Sequence, residues 1–399
     1  MNNILLLSDG SPSATVIDPN EILLRFFFKH FDRKKVFRFM IMRKVGKDLP
    51  KDWMGFDSEV YNNIYEISVK KFGKYINWFL KYLINIYIVT FRIPFLYNKL
   101  LKIYKENSFD KICMVATSPQ LILIGYKLVK ETKLPLHLII WDTPEQYTLN
   151  LKMPEIFRNR VLKRYYYLIR NSKKIGVGSQ ALGEYFNEKF NKETYLMQGD
   201  IIESHIITSK LQVSDKEIVI GFAGTMYTSG TWSAFLDALN KMNWEYESKK
   251  ILLRIIGNSF SQELLNNSNI EFLGARKIEE AMSILSQCSI NFVPYSFEHR
   301  SKIEAEFSFP SKINTYLRAG RPIYAIAPNY SSVFKFVTNE KIGICCTSVI
   351  PNQIVDSLKY LLGNTALILE TTKNINKIYT DKFSTEKLLE RFNKFIDAS

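Results

Sequence analysis

The feature that most constrains this chain is an alternation, run through twice, of short apolar stretches with longer amphipathic ones. Apolar runs of about four to eight residues bounded by turn residues read as buried strands, and the amphipathic segments between them supply the crossovers that parallel strands need. The first series predicts strands at 3–8, 35–42, 111–116, 136–141, 174–177 and 194–197. Helices open at Asp18 or Pro19, running to His30, and at Pro154, running to Asn171, both sensible places for a first-turn proline. The second series predicts strands at 217–223, 251–256, 270–273, 290–293, 322–326 and 342–345. Between the two, the stretch after Gly199 loses its periodicity. The pattern therefore predicts an α/β protein of two Rossmann-like domains facing a central cleft, where the carboxyl ends of open parallel sheets bind ligands. The expected boundaries are 1–199, a linker at 200–215, a second domain at 216–380 and a C-terminal helix at 381–399 packing back toward the first domain.

A chain of 399 residues fits two such domains better than one, because single cores stop growing at roughly 250–300 residues. Hydrophobic residues make up 46% and charge is dispersed, which excludes a disordered chain. Four cysteines, Cys113, Cys288, Cys345 and Cys346, lack metal-ligand spacing and exclude a disulfide scaffold. The residues from Met1 to Asp9 carry no basic n-region and no small-residue cleavage site, so no signal peptide and a cytoplasmic protein are expected.

Charge is unevenly placed. Residues 1–200 hold 32 Lys and Arg against 19 Asp and Glu, a net +13, whereas 201–399 hold 22 against 20, a net +2. Compositional drift toward Lys, Asn, Ile, Tyr and Phe would spread over both halves. A bias confined to one half instead suggests an anionic partner, whether a phospholipid surface, a pyrophosphate-linked substrate or nucleic acid. No nucleic-acid motif accompanies the basic residues, and no nucleic-acid partner is expected. Within this half, 70–107 combines seven aromatic residues, from Trp78 to Tyr97, with Lys and Arg. Lys81 and Arg92 interrupt it too soon for a membrane span, which needs about twenty apolar residues. Two readings remain: an interfacial helix with an aromatic face and basic rim, or a long helix packed on its own domain and kinked at Pro94.

The segment 307–323, FSFPSKINTYLRAGRPI, is the most informative. Pro310 opens a helix after a loop, leaving amides around Ser308, Phe309, Ser311 and Lys312 free to bind an anion, with Lys312 adding a cation. Gly320 and Pro322 close the helix and launch the next strand. In the first half, Ser8-Asp9-Gly10-Ser11 follows a strand, with small residues that allow close backbone approach to a ligand. Asp142 ends the apolar run at 136–141, where open sheets place reacting groups; its other reading is a turn or cap residue before Pro144. Glu145 is a second candidate. The four histidines are scattered and no acidic cluster has ligand spacing, so no metal is expected.

These residues resemble the donor domain of bacterial GT-B glycosyltransferases of the group-1 type. The likeness rests on SFPSK at 308–312 followed by YLRAGRPI, on Gly221-Phe-Ala-Gly-Thr225, on Leu253-Arg-Ile-Ile-Gly257 and on Ile270-Glu-Phe-Leu-Gly274. It implies that Gly224, Thr225 and Gly257 approach the diphosphate of a nucleotide sugar, that Ser308, Phe309, Pro310, Ser311, Lys312 and Thr315 wrap the diphosphate and ribose, and that Asp9, Gly10 and Ser11 face the acceptor. Two departures stand out. Where the family carries a ribose-binding glutamate this chain has Thr315, and its companion glutamate falls at Phe307, beside Glu306, with Glu304 also near. The turn after Gly224 also lacks the usual Arg and Lys, for which Lys312, Arg300 or Lys302 would compensate. The resemblance implies transfer, with retention, from a nucleotide-diphosphate sugar and without a cofactor to a cell-surface polysaccharide or lipid-linked oligosaccharide, at the inner face of the plasma membrane. Asp142 and Glu306 are the expected catalytic carboxylates. The other readings are a nucleotide-sugar 2-epimerase on the same fold and a non-catalytic α/β binding protein.

Overall fold

A computed structural model describes residues 3–10, 19–29, 31–42, 52–53, 56–62, 74–150, 153–201, 216–225, 228–258 and 267–397. The chain divides into two compact units, Met1–Met197 with Leu389–Ser399, and Gln198–Leu388. Of the expected linker at 200–215, residues 202–215 lie outside the described residues.

In the first unit, β1 (Ile4–Gly10), β2 (Val36–Met42), β3 (Asp52–Trp53), β4 (Phe56–Asn62), β5 (Lys111–Val115), β6 (Leu136–Ile140), β7 (Ser172–Val177) and β8 (Thr194–Leu196) form one sheet, ordered β3-β4-β2-β1-β5-β6-β7-β8. Every pair is parallel except β3 with β4. The central strands are buried throughout, which is why they read as unbroken apolar runs. All twelve expected strands in the chain are present, within two residues at each end. The pair β3 and β4 was not expected: β4, FDSEVYN, lies near the sheet edge, so its polar residues break the run.

The helix expected through 70–107 is interrupted. It runs as Lys74–Tyr87, a wide π turn at Ile88–Arg92, then Ile93–Glu106. Pro94 is the cause: it lacks an N–H and its ring would meet the carbonyl one turn back, so the ladder opens just before it and the Ile93 N–H reaches Ile88 O.

The helix Thr385–Ile396 ends on the first sheet. Lys111 Nζ donates to Ile396 O at 2.5 Å, and Lys174 Nζ to Lys394 O and Asp397 O at 2.6 and 2.8 Å. Two buried cations thus satisfy the last carbonyls and oppose the helix dipole. Phe392 stacks on Phe27 at 4.0 Å. His137, fully buried beside them, has its pKa pushed from 6.5 down to about 4 by burial and then by the Lys111 and Lys174 charges. Above pH 6.5 it is neutral whether the chain is folded or not. As pH falls toward 4 the unfolded chain takes up a proton that the folded chain refuses, so stability is lost, by about 3 kcal/mol at most. Melting curves between pH 7 and 4 should show this slope, and His137→Leu should flatten it; an unchanged slope would assign the acid sensitivity to other groups.

In the second unit, β9 (Glu217–Ala223), β10 (Glu245–Tyr246), β11 (Lys249–Ile256), β12 (Ile270–Phe272), β13 (Ile290–Pro294), β14 (Ile323–Ile326) and β15 (Gly343–Cys346) are ordered β10-β11-β9-β13-β14-β15, with β12 also paired to β11. The unexpected β10 hairpin turns at Glu247 and Ser248, φ +48° and +62°, without the glycine or asparagine that would have signalled it. The core packs Trp232, Phe235 and Phe292 together, the last two stacked at 4.0 Å. The chain leaves β9 toward β11 on one side and returns to β13 on the other. This change of direction is the topological switch point, where such sheets bind ligands.

Candidate functional site

At that switch point β9 ends and the chain turns at Gly224, whose φ of +121° is rare for any residue with a side chain. Its N–H donates to Ile256 O at 2.8 Å. Gly257 lies so close behind that a Cβ there would overlap the Gly224 carbonyl oxygen, and its own N–H donates to Gly274 O at 3.1 Å. Glycine is required at both turns: at Gly224 by conformation, at Gly257 by proximity. Thr225 follows, exposed.

The helix Lys312–Ala319 is the crossover from β13 to β14, so its first turn arrives at the same sheet end. Tyr316, fully buried, ties it there. Its hydroxyl accepts from the Ala223 N–H at 2.9 Å and donates to Phe292 O at 3.1 Å, linking the end of β9 to the middle of β13. One turn earlier, Lys312 Nζ lies 4.1 Å from the centroid of the Phe222 ring, and a Cβ at Gly224 would come within 3.2 Å of it. The ring face offers the cation partial compensation, yet burial still pushes its pKa down to about 7. Thr315, half-buried, sits three residues on and shares this side of the helix. At the other end Arg318 forms a buried ion pair with Asp200, which also accepts from Tyr379 Oη at 2.7 Å.

The loop before this helix is more committed than expected. The Ser308 N–H donates to Glu304 O at 2.8 Å, and Ile313 and Asn314 close short turns on Pro310 O and Ser311 O. Pro310 has no N–H. The amides of Phe309 and Ser311 make no hydrogen bond among the described residues, so the anion-binding set is smaller than the full run from Ser308 to Lys312. The loop itself is pinned. Ser308 O accepts from Tyr295 Oη at 2.7 Å and from the Ser332 hydroxyl, and Phe309 O accepts from Gln198 Nε2 at 3.3 Å.

Glu306, half-buried, and Glu304, exposed, lie on the short helix Lys302–Phe307 that feeds the loop. Of the three cations considered as compensation, Lys312 is the one at the glycine turn. Arg300 pairs with Glu298 on the surface, and Lys302 lies 5.4 Å from the Tyr330 ring.

In the first unit, Asp9 and Gly10 end β1, while Asp142 follows β6, two strands away. Ser11 lies outside the described residues. Asp9 is buried, and Asp142 is partly exposed and raises the pKa of the buried Tyr165 hydroxyl, after burial itself. Glu145 is engaged structurally: it accepts from Tyr166, Tyr185 and Lys189, and these partners hold its carboxyl below the usual range against the opposing effect of burial. Arg38 was not anticipated. Fully buried in β2, it donates to Ser8 Oγ at 2.7 Å and to Asp9 O at 2.9 Å, fixing the end of β1. Its signal was present, an isolated Arg inside the apolar strand VFRFMIM. Among the described residues no group of His, Cys, Asp or Glu is arranged to hold a metal ion.

No protein-family model matches the chain, and no curated protein does. Solved structures match it end to end. The crystal structure of Alr3699/HepE from Anabaena, in complex with UDP and glucose, is 14% identical, with a TM-score of 0.62 and 100% of both chains covered. Sucrose-phosphate synthase from Thermosynechococcus elongatus is 14% identical, with a TM-score of 0.67 over 99% of this chain and 98% of that one. WaaG, a glycosyltransferase involved in lipopolysaccharide biosynthesis, is 11% identical, with a TM-score of 0.55 over 99% and 100%. At such identities the likeness is one of fold, and with the two parallel sheets described above it identifies the chain as a two-domain α/β protein of the GT-B fold.

Proposed function

We propose that this chain is a bacterial, group-1-type glycosyltransferase that moves a sugar, with retention, from a nucleotide-diphosphate sugar to a cell-surface polysaccharide or lipid-linked oligosaccharide acceptor. The observation that carries the reading is the convergence of the Gly224 turn, the Gly257 turn and the Lys312 ammonium, whose nitrogen is buried, at the switch point of the second sheet. An open backbone beside a desolvated cation suits a diphosphate, and the complexes of HepE with UDP support the same ligand class. Thr315 takes the place of the ribose-binding glutamate as a neutral hydrogen-bonding group.

In the proposed reaction the bond from the anomeric carbon to the diphosphate oxygen breaks as the acceptor oxygen bonds to that carbon. The acceptor proton passes to the leaving phosphate oxygen, so no separate base is needed for retention. Lys312 and the Phe309 and Ser311 amides stabilise the charge developing on that oxygen. Glu306 stands next to this loop as the carboxylate nearest in sequence, and Asp142 is the candidate on the acceptor side, with Asp9 and Gly10. The basic first unit would meet the acceptor's pyrophosphate or an anionic membrane at the inner face of the plasma membrane, in capsule, O-antigen or lipopolysaccharide assembly.

Incubation with UDP-, GDP-, dTDP- and CMP-sugars tests this. Release of nucleoside diphosphate from one diphosphate family, lost in Gly224→Val, is expected. Release from none of them, with or without oligosaccharide acceptors, would count against the reading.

A further inference from the structure

Among its described side chains, the interrupted helix at 74–106 buries one face and exposes the other. Asn85, Ile88, Ile93, Leu96, Tyr97, Leu100 and Ile103 point inward. On the outer side Phe79, Leu83, Tyr87, Phe91 and Phe95 are 54%, 44%, 47%, 63% and 47% exposed, with Ile86 beside them. These five recur every fourth residue. In an unbroken α-helix each four-residue step overshoots a turn by about 40°, so four steps would wind the stripe roughly 160° around the axis. The wide turn at Ile88–Arg92 takes up the excess and brings Phe91 and Phe95 back toward the face that bears Phe79 and Leu83. The π turn therefore keeps five large apolar side chains on one side, at a cost in exposure that a water-facing helix has no reason to carry.

The neighbouring helix Glu155–Asn171 extends the patch and gives it charge. Phe157 meets Tyr82 at 5.6 Å, and Ile156, next to it in the chain, is 67% exposed. Arg160 lines a small cavity with Asn85, Ile88 and Val89, and the Arg92 guanidinium lies 5.6 Å from the Phe95 ring. The same helix carries five cations, Arg158, Arg160, Lys163, Arg164 and Arg170, and a single acid, Glu155. Among the described residues no helix is long and apolar enough to cross a membrane.

We propose that this face docks onto the surface of a bilayer rich in anionic phospholipid, the aromatic stripe entering the headgroup boundary and the basic helix lying over phosphate. It rests on the membrane contact proposed above, for which it names the surface and the lipid chemistry, and on no part of the donor site. Aromatic and aliphatic side chains rimmed by Arg and Lys match the boundary of an anionic leaflet. A second copy of the same unit fits less well, because two strongly basic faces repel.

Co-sedimentation of the full chain with vesicles of phosphatidylcholine, with and without phosphatidylglycerol, tests the proposal. The wild type should bind the anionic vesicles at least tenfold more tightly, less so in high salt. Phe79→Ser/Phe91→Ser should lose binding to both at an unchanged melting temperature, and Arg160→Glu/Lys163→Glu should lose the anionic preference. Nucleotide release without vesicles should be unaltered in both, which separates this proposal from the donor-site reading. Equal binding to both vesicle types by the wild type, or binding that neither pair weakens, would overturn it. So would self-association in place of vesicle binding, abolished by the Phe pair.

Discussion

Replacing Lys312 by Met is expected to weaken nucleotide-diphosphate binding roughly ten- to hundredfold, the worth of one charge-assisted contact of about 1.5–3 kcal/mol. The same substitution should leave the melting temperature unchanged or raise it, since it removes an ammonium that burial already penalises. Lost affinity without lost stability separates a binding residue from a structural one. The pH dependence follows with a definite sign. Below about pH 7 Lys312 is charged in the free protein, and binding needs no proton. Above it, the free lysine is neutral, and a bound diphosphate favours the charged form, so binding takes up a proton and affinity falls by up to about tenfold per pH unit. Calorimetric titrations from pH 6 to 9 should show that decline in the wild type and its absence in Lys312→Met.

The second large effect is on stability. Asp200→Ala should destabilise the second unit by about 3–5 kcal/mol, because it strands the Arg318 guanidinium in the interior and removes the acceptor of Tyr379. For a unit of this size that is a fall of roughly 10 °C in melting temperature. Arg318 ends the helix that Lys312 begins, so the variant should also weaken nucleotide binding. Combining Asp200→Leu with Arg318→Met should recover most of the stability, since apolar replacement removes both charges at once. Differential scanning calorimetry of the single and double variants checks this. A double variant no more stable than Asp200→Ala would show that the pair contributes through more than its charges.

The architecture was legible in the sequence because parallel strands buried on both faces leave unbroken apolar runs. The strands that escaped do not bury two faces: β3 and β4 at the sheet edge, and the β10 hairpin with its Glu247-Ser248 turn. The glycine turn and Lys312 were legible as separate motifs, far apart in sequence. Their meeting was not, because it depends on Tyr316 clamping the helix to two neighbouring strands. Loop amides were overestimated for a similar reason: Pro310 suggests a bare helix start, but backbone turns at Ser308, Ile313 and Asn314 consume donors that composition alone leaves open. Arg38 and Asp200 were visible as residues and silent as partners. A buried charge in a strand or a linker announces that it is paired without saying to what.

We propose that the second unit binds a nucleotide-diphosphate sugar at the Gly224–Lys312 turn. Isothermal titration of the wild type at pH 8 with UDP, GDP and dTDP, in two buffers of different ionisation enthalpy, addresses it most directly. One nucleotide binding with uptake of a fraction of a proton, and weaker binding without uptake in Lys312→Met, is the predicted result. Absence of binding by all three at millimolar concentration, or tight binding indifferent to Lys312, would contradict it.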